Sequence, residues 1–132
     1  MTKKGYITNI EKETLNNERF RKVLYTSSYL QLVLMTIPEG GEIGEEVHGV
    51  DQFIRIEEGK AKAIINGNES DMQDDFIAVV PAGATHNFIN TGDGPLKLYT
   101  LYGPPHHEDG IVHATKADAD TDDEEFMGVT SE

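Results

Sequence analysis

The sequence predicts an all-β domain, an antiparallel β-barrel or sandwich. Short runs rich in Val, Ile, Leu, Tyr and Phe recur from Phe20 onward. Turn residues separate them about every 8 to 12 residues, as between the strands of such folds. No helical period of useful length runs through the chain. At 132 residues the chain suits one hydrophobic core, and 37% apolar against 27% charged residues is enough to build it, which excludes global disorder.

Residues 1–19 are polar, with Ile7, Ile10 and Leu15 as aliphatic anchors beyond Met1, and read as an arm with one short helical turn. Eight strands are expected after it, at 20–25, 29–37, 43–48, 52–56, 61–65, 77–80, 85–90 and 96–102. Their β-branched and aromatic residues fit a pleated, half-buried surface. The breaks are Ser27-Ser28, Pro38-Glu39-Gly40-Gly41, Glu57-Glu58-Gly59, Asn66-Gly67-Asn68, Pro81-Ala82-Gly83 and 91–95. Asn66-Gly67 is the strongest turn signal, because a type I′ hairpin needs positive φ at both central positions. Gly103-Pro104-Pro105 then ends the ladder, since proline lacks the N–H that a strand donates. Residues 103–116, with His106, His107 and His113, are expected as an extension ordered against the body. Residues 117–132 are expected as a solvated, mobile acidic tail.

The net charge of −13 is unevenly spread: seven acids and no base lie in 117–132, leaving −6 for residues 1–116. A negative chain repels phosphate backbones and anionic lipid, so nucleic-acid and membrane partners are not expected. There is no cysteine, hence no disulfide framework, no thiolate metal site and no cysteine nucleophile. No apolar run approaches the roughly 20 residues of a membrane helix, and the N-terminus leads into no apolar signal core, so a soluble cytoplasmic protein is expected. A phosphate-cradling Gly-rich loop and a G-x-S-x-G nucleophile elbow are both missing.

Two segments carry ligand-type side chains inside strand-like runs. In 45–56, period 2 places Glu46 and His48 on one face and puts Gln52 with Ile54 and Ile56 on another; if those isoleucines face the core, so does Gln52. In 81–90, His86 shares a face with Phe88. A metal ion would explain why Glu46, His48, Gln52 and His86 point inward together. Arg55, at odd spacing from Gln52, should face away from them.

Over 20–102 these segments resemble the two motifs of the cupins, small RmlC-like β-barrels of the jelly-roll or double-stranded β-helix type. The first motif is matched in spacing from Gly40 through Glu46-Val47-His48 and Gln52 to Gly59, with Glu46 in place of a His and Gln52 in place of a Glu. The second is matched from Asp75 through Pro81-Ala82-Gly83 and His86 to Asn90, with Asp75 in place of a Gly. The resemblance implies that Glu46, His48, Gln52 and His86 occupy the four metal-ligand positions.

One carboxylate and two imidazoles remain a competent donor set, as in non-haem Fe(II) facial triads and His₂Glu zinc sites. One divalent ion is expected: Fe, Mn, Zn, Ni or Co. The implied function is a metalloenzyme acting on a small polar molecule in the barrel, by oxygenation or by sugar-type isomerisation. The chain is similar in this to the mannose-6-phosphate isomerase-like cupins. The alternative is a non-catalytic module that binds a small ligand or the metal itself. Tyr99, Phe88, Phe53, His106 and His107 are candidate substrate contacts. A homodimer is implied by the resemblance and by the edge strands of an antiparallel sheet.

Overall fold

The computed structural model describes residues 2–132. The polar arm contains α1 (Ile10–Asn16), opened by Asn9, whose side chain accepts from the Lys12 N–H. Ten strands follow. They are β1 (Arg21–Thr26), β2 (Gln31–Ile37), β3 (Glu46–Val47), β4 (Asp51–Glu58), β5 (Lys60–Ile65), β6 (Asn68–Gln73), β7 (Ile77–Val80), β8 (Thr85–Asn90), β9 (Leu96–Gly103) and β10 (Val112–His113). A last short helix, α2 (Lys116–Asp120), follows β10.

All pairings are antiparallel. A six-stranded sheet runs β10-β1-β2-β9-β4-β7 and a four-stranded sheet runs β3-β8-β5-β6. The two sheets stay separate, as a jelly roll of two layers. Between them lie Val33, Ile37, Ile54, Ile56, Phe88, Leu96 and Leu98, all without solvent exposure. Strict alternation produces this core: on β9, Leu96, Leu98, Thr100 and Tyr102 point inward. Removing such side chains from water is the main driving force for the fold.

The structure departs from the expected elements in physically explicable ways. The Asn66-Gly67 turn forms as expected, with φ of 49° and 81°, and sets Ile65 opposite Asn68. The strand on its far side, β6, was not anticipated because Asn-Glu-Ser-Asp-Met-Gln buries only Met72. Its state is fixed by pairing with β5 rather than by its own pattern. The expected 43–48 strand shrinks to Glu46–Val47, preceded by an isolated bridge from Glu42 to Ile89.

Residues 117–132 are not a free tail. The Phe126 N–H donates to the His106 carbonyl at 3.1 Å, and the Ser131 N–H donates to the Thr26 carbonyl at 2.8 Å. Asp122, Glu124 and Glu132 each accept from a side chain of the body, namely His113, His107 and Tyr25. Three of the segment's seven acids answer donors 9, 17 and 107 residues away, and charge patterning alone does not show such partners.

Two motif positions have a backbone explanation. Gly59 has φ +97°, and a Cβ there would stand 2.7 Å from the Pro95 carbonyl oxygen. Asp75, where the cupin motif carries Gly, also lies in the left-handed region at φ 75°. Aspartate tolerates that region better than most residues.

Candidate metal centre

Each ligand-type side chain is placed by a different element. Glu46 lies on β3 opposite His86 of β8, so the antiparallel register brings them face to face. His48 follows β3 directly, and Gln52 opens the inward face of β4. One donor atom each from Glu46, His48 and His86 lies within 4.8 Å of the others. Nε2 of His48 is 2.7 Å from Oε2 of Glu46, and Nε2 of His86 is 4.0 Å from the same oxygen.

The protonation pattern leaves lone pairs directed at one point. Nδ1 of His86 donates to the Ala84 carbonyl at 2.9 Å, which fixes the tautomer and leaves Nε2 as an acceptor. Gln52 donates its amide N–H groups to the hydroxyls of Thr100 and Tyr102, at 3.1 and 3.2 Å, leaving Oε1 free. Four buried side-chain atoms among the described residues have no hydrogen-bond partner: Nε2 of His48, Nε2 of His86, Oε1 of Gln52 and Nε of Arg21. Although Nε2 of His48 approaches Glu46 closely, its alignment is not that of a hydrogen bond. Buried polar atoms are nearly always satisfied, so three orphans at the motif positions form a donor set that fits a divalent cation.

Electrostatics agree with that fit. Burial works against the Glu46 carboxylate, but the His48 contact and the nearby cationic groups outweigh it and hold its pKa below the usual value. Glu46 is thus ionised, as a ligand must be. Burial pushes the Tyr102 phenol above its ordinary pKa. His106 is pushed down to about 4, first by burial and then by repulsion from His107 and His48.

The other expected contacts divide. His106 reaches the site, its ring centroid 4.1 Å from that of His48. His107 stands behind it: Nδ1 donates to Glu124 at 2.7 Å, while Nε2 lies 3.4 Å from the Tyr102 hydroxyl. Phe88 is fully buried in the core, with its ring centroid 6.3 Å from that of His86. Phe53 and Tyr99 are not brought to the site. They alternate with the inward residues of β4 and β9 and lie together on the outer face, ring centroids 6.4 Å apart. Arg55 also faces outward, against Glu57 and Asp75.

Residues that sequence reasoning missed come from the chain termini. Arg21, on β1, is buried, and its Nη1 meets Nδ1 of His113 at 3.4 Å. Asp122 and Glu124, read as tail charges, hold His113 and His107. The available signal was an Arg at even spacing from Val23 in the strand-like run 20–25, which period 2 places on the same face as that apolar residue.

The family model described as "Cupin domain" matches residues 33–102, more than half of the chain. This chain belongs to the cupin family. The cupin is 47% identical over 124 residues to the uncharacterized protein YrkC of Bacillus subtilis, an alignment spanning 88% of this chain and 66% of that protein. The crystal structure of BH2720 from Bacillus halodurans is similar at TM-score 0.89 and 42% identity, over 90% of this chain and 96% of that one. An RmlC-like cupin from Shewanella frigidimarina shares the fold at TM-score 0.59 and 19% identity, covering 64% and 74% of the two chains. No helix among the described residues is long and apolar enough to cross a membrane.

Proposed function

We propose that this cupin binds one divalent metal ion (Fe, Mn, Zn, Ni or Co) through Glu46, His48 and His86, with Gln52 as a weaker fourth donor, and acts on a small polar molecule beside it. The observation that supports this reading is the convergence of orphaned Nε2 atoms and one ionised carboxylate within 4.8 Å. When bound, such an ion supplies a Lewis acid that polarises a carbonyl, as isomerisation requires, or, if redox-active, a centre for oxygenation. Glu46 contributes the one negative charge. His86 is oriented by Ala84, and Gln52 is held by the Thr100 and Tyr102 hydroxyls. His106 borders the site and presents a neutral imidazole to whatever binds there.

Elemental analysis of untagged protein tests the metal. About one equivalent is expected in the wild type and none in the His48→Ala/His86→Ala double variant. Metal-free protein that fails to take up any of the five ions on reconstitution overturns the reading. A second reading, capture of a small ligand or of the metal without turnover, is favoured by the packing of His106 on His48 with ring centroids 4.1 Å apart, which crowds the donors. Metal-loaded protein that binds a small molecule and returns it unaltered supports that reading over the enzyme.

A further inference from the structure

Arg21 is the fourth member of the set of orphaned buried atoms, and the only one outside the two motifs. It is 6% exposed, and none of the ion pairs within 4.0 Å among the described residues includes it. Its guanidinium stacks on Phe20, with Cζ 5.4 Å from the ring centroid. Of its five N–H donors, one meets an acceptor: Nη1 donates to Nδ1 of His113 at 3.4 Å. That bond defines the tautomer of His113, whose Nε2–H donates to Asp122 at 2.9 Å. The chain Asp122, His113, Arg21 therefore positions the guanidinium without neutralising it by direct contact.

Arginine does not discharge on burial, so an unpaired buried guanidinium is costly unless a ligand answers it. Arg21 shares the buried face of β1 with Val23, a residue of the core between the sheets, and stands in register with buried His113, so its guanidinium is on the interior side that also holds the metal donors. Its charge favours the Glu46 and Glu124 carboxylates there. The other buried cation among the described residues, Lys97, is committed to the Asn17 carbonyl. The guanidinium fork matches a carboxylate bidentately, and the ionised Glu46 and Glu124, which already share the field of this one cation, weigh against a phosphate dianion.

We propose that Arg21 is the anion-binding residue of this site, and that the molecule taken up is a small organic carboxylate whose carboxylate group lies on the Arg21 guanidinium. This deepens the proposed function and rests on it for the metal facing the rest of the molecule. Lys97 is answered at its ammonium by the Asn17 carbonyl, whereas Arg21 meets one imidazole and keeps an orphaned Nε.

The test is calorimetric titration of untagged protein with oxalate and with pyruvate, using glycerol and inorganic phosphate as controls. Wild type, Arg21→Met, Arg21→Gln and Arg21→Lys are compared as purified and after chelator treatment, with metal content measured on each sample. Wild type is expected to bind a carboxylate probe. Arg21→Met and Arg21→Gln should weaken it by about ten- to hundredfold, the worth of a charge-assisted hydrogen bond, and Arg21→Lys by less. Metal content should be equal in all four proteins. Urea midpoints should be unchanged or raised in Arg21→Met, since an unpaired buried charge is removed.

No carboxylate binding by wild type, wild-type affinity retained in the Met and Gln variants, or preference for phosphate overturns the proposal. A lowered midpoint in Arg21→Met without any effect on carboxylate affinity would assign Arg21 to the fold alone. Absence of metal refutes the metal reading separately, because the ratio of wild-type to variant affinity is still read in metal-free protein.

Discussion

Replacing Gln31 with leucine should release the loop that carries His106 and His107 while leaving the metal donors in place. Gln31 is fully buried on β2. Its amide nitrogen donates to the Thr26 hydroxyl at 2.9 Å and to the His107 carbonyl at 2.8 Å. Its amide oxygen accepts from the N–H groups of His106 and His107, at 3.1 and 2.9 Å. Leucine has nearly the same volume, so the variant removes hydrogen bonds without opening a large cavity. Four groups, three buried and the His106 N–H partly so, then lose their partners, at about 1 kcal/mol each, which totals about 4 kcal/mol. For a domain of this size that is a fall of roughly 12 to 16 °C in Tm. Urea unfolding should show a lower midpoint at constant slope, and hydrogen exchange should show lost protection at the His106 and His107 amides. A loss below about 1 kcal/mol, or unchanged protection at those amides, would refute the reasoning. Metal content should not change, because Gln31 bonds to none of Glu46, His48, Gln52 or His86.

Gly59→Ala should destabilise by about 2 to 4 kcal/mol, since it adds backbone strain at φ +97° to a Cβ placed 2.7 Å from the Pro95 oxygen; a change under 0.5 kcal/mol in urea unfolding would contradict this. Asp75→Gly should be neutral or stabilising by up to about 1 kcal/mol, because relief at φ 75° outweighs an exposed ion pair with Arg55; the same measurement checks it, and a clear loss would refute it. Acid stability should fall in two windows. Burial and its imidazole neighbours lower His106 from 6.5 to about 4, so below pH 6.5 the unfolded chain takes a proton that the fold refuses, and stability declines as pH falls toward 4. Burial opposes ionisation of Glu124, but its bonds from His107 and the Glu108 N–H prevail and lower its pKa, so its contribution is present above 4.5 and lost as pH falls below it. Unfolding of metal-free protein across pH should accordingly show His106→Gln flattening the upper window and Glu124→Gln the lower; an unchanged profile in either variant would refute that assignment.

The sequence by itself determined the fold class and the three converging donors, because both are local signals. Alternation of period 2 decides which side chains of a strand face the core, and the resemblance of 40–59 and 75–90 to the two cupin motifs singled out Glu46, His48, Gln52 and His86. The Asn66-Gly67 turn was legible for the same reason: two residues specify its dihedral angles. Period 2 also bore on Phe53 and Tyr99, which alternate with Gln52 and Tyr102 and so face outward; the aromatic character that suggested them as pocket residues carries no directional information. What only the tertiary structure decided depends on contacts between segments far apart in the chain. Strand β6 exists because β5 offers it a ladder, not because its polar residues prefer one. Asp122 and Glu124 are structural acids because His113 and His107 stand opposite them. Arg21 is unpaired because the body that buries it supplies an imidazole rather than a carboxylate. Hydrogen bonds and charges are satisfied or left open by three-dimensional neighbours, and a linear pattern of charges does not specify those neighbours.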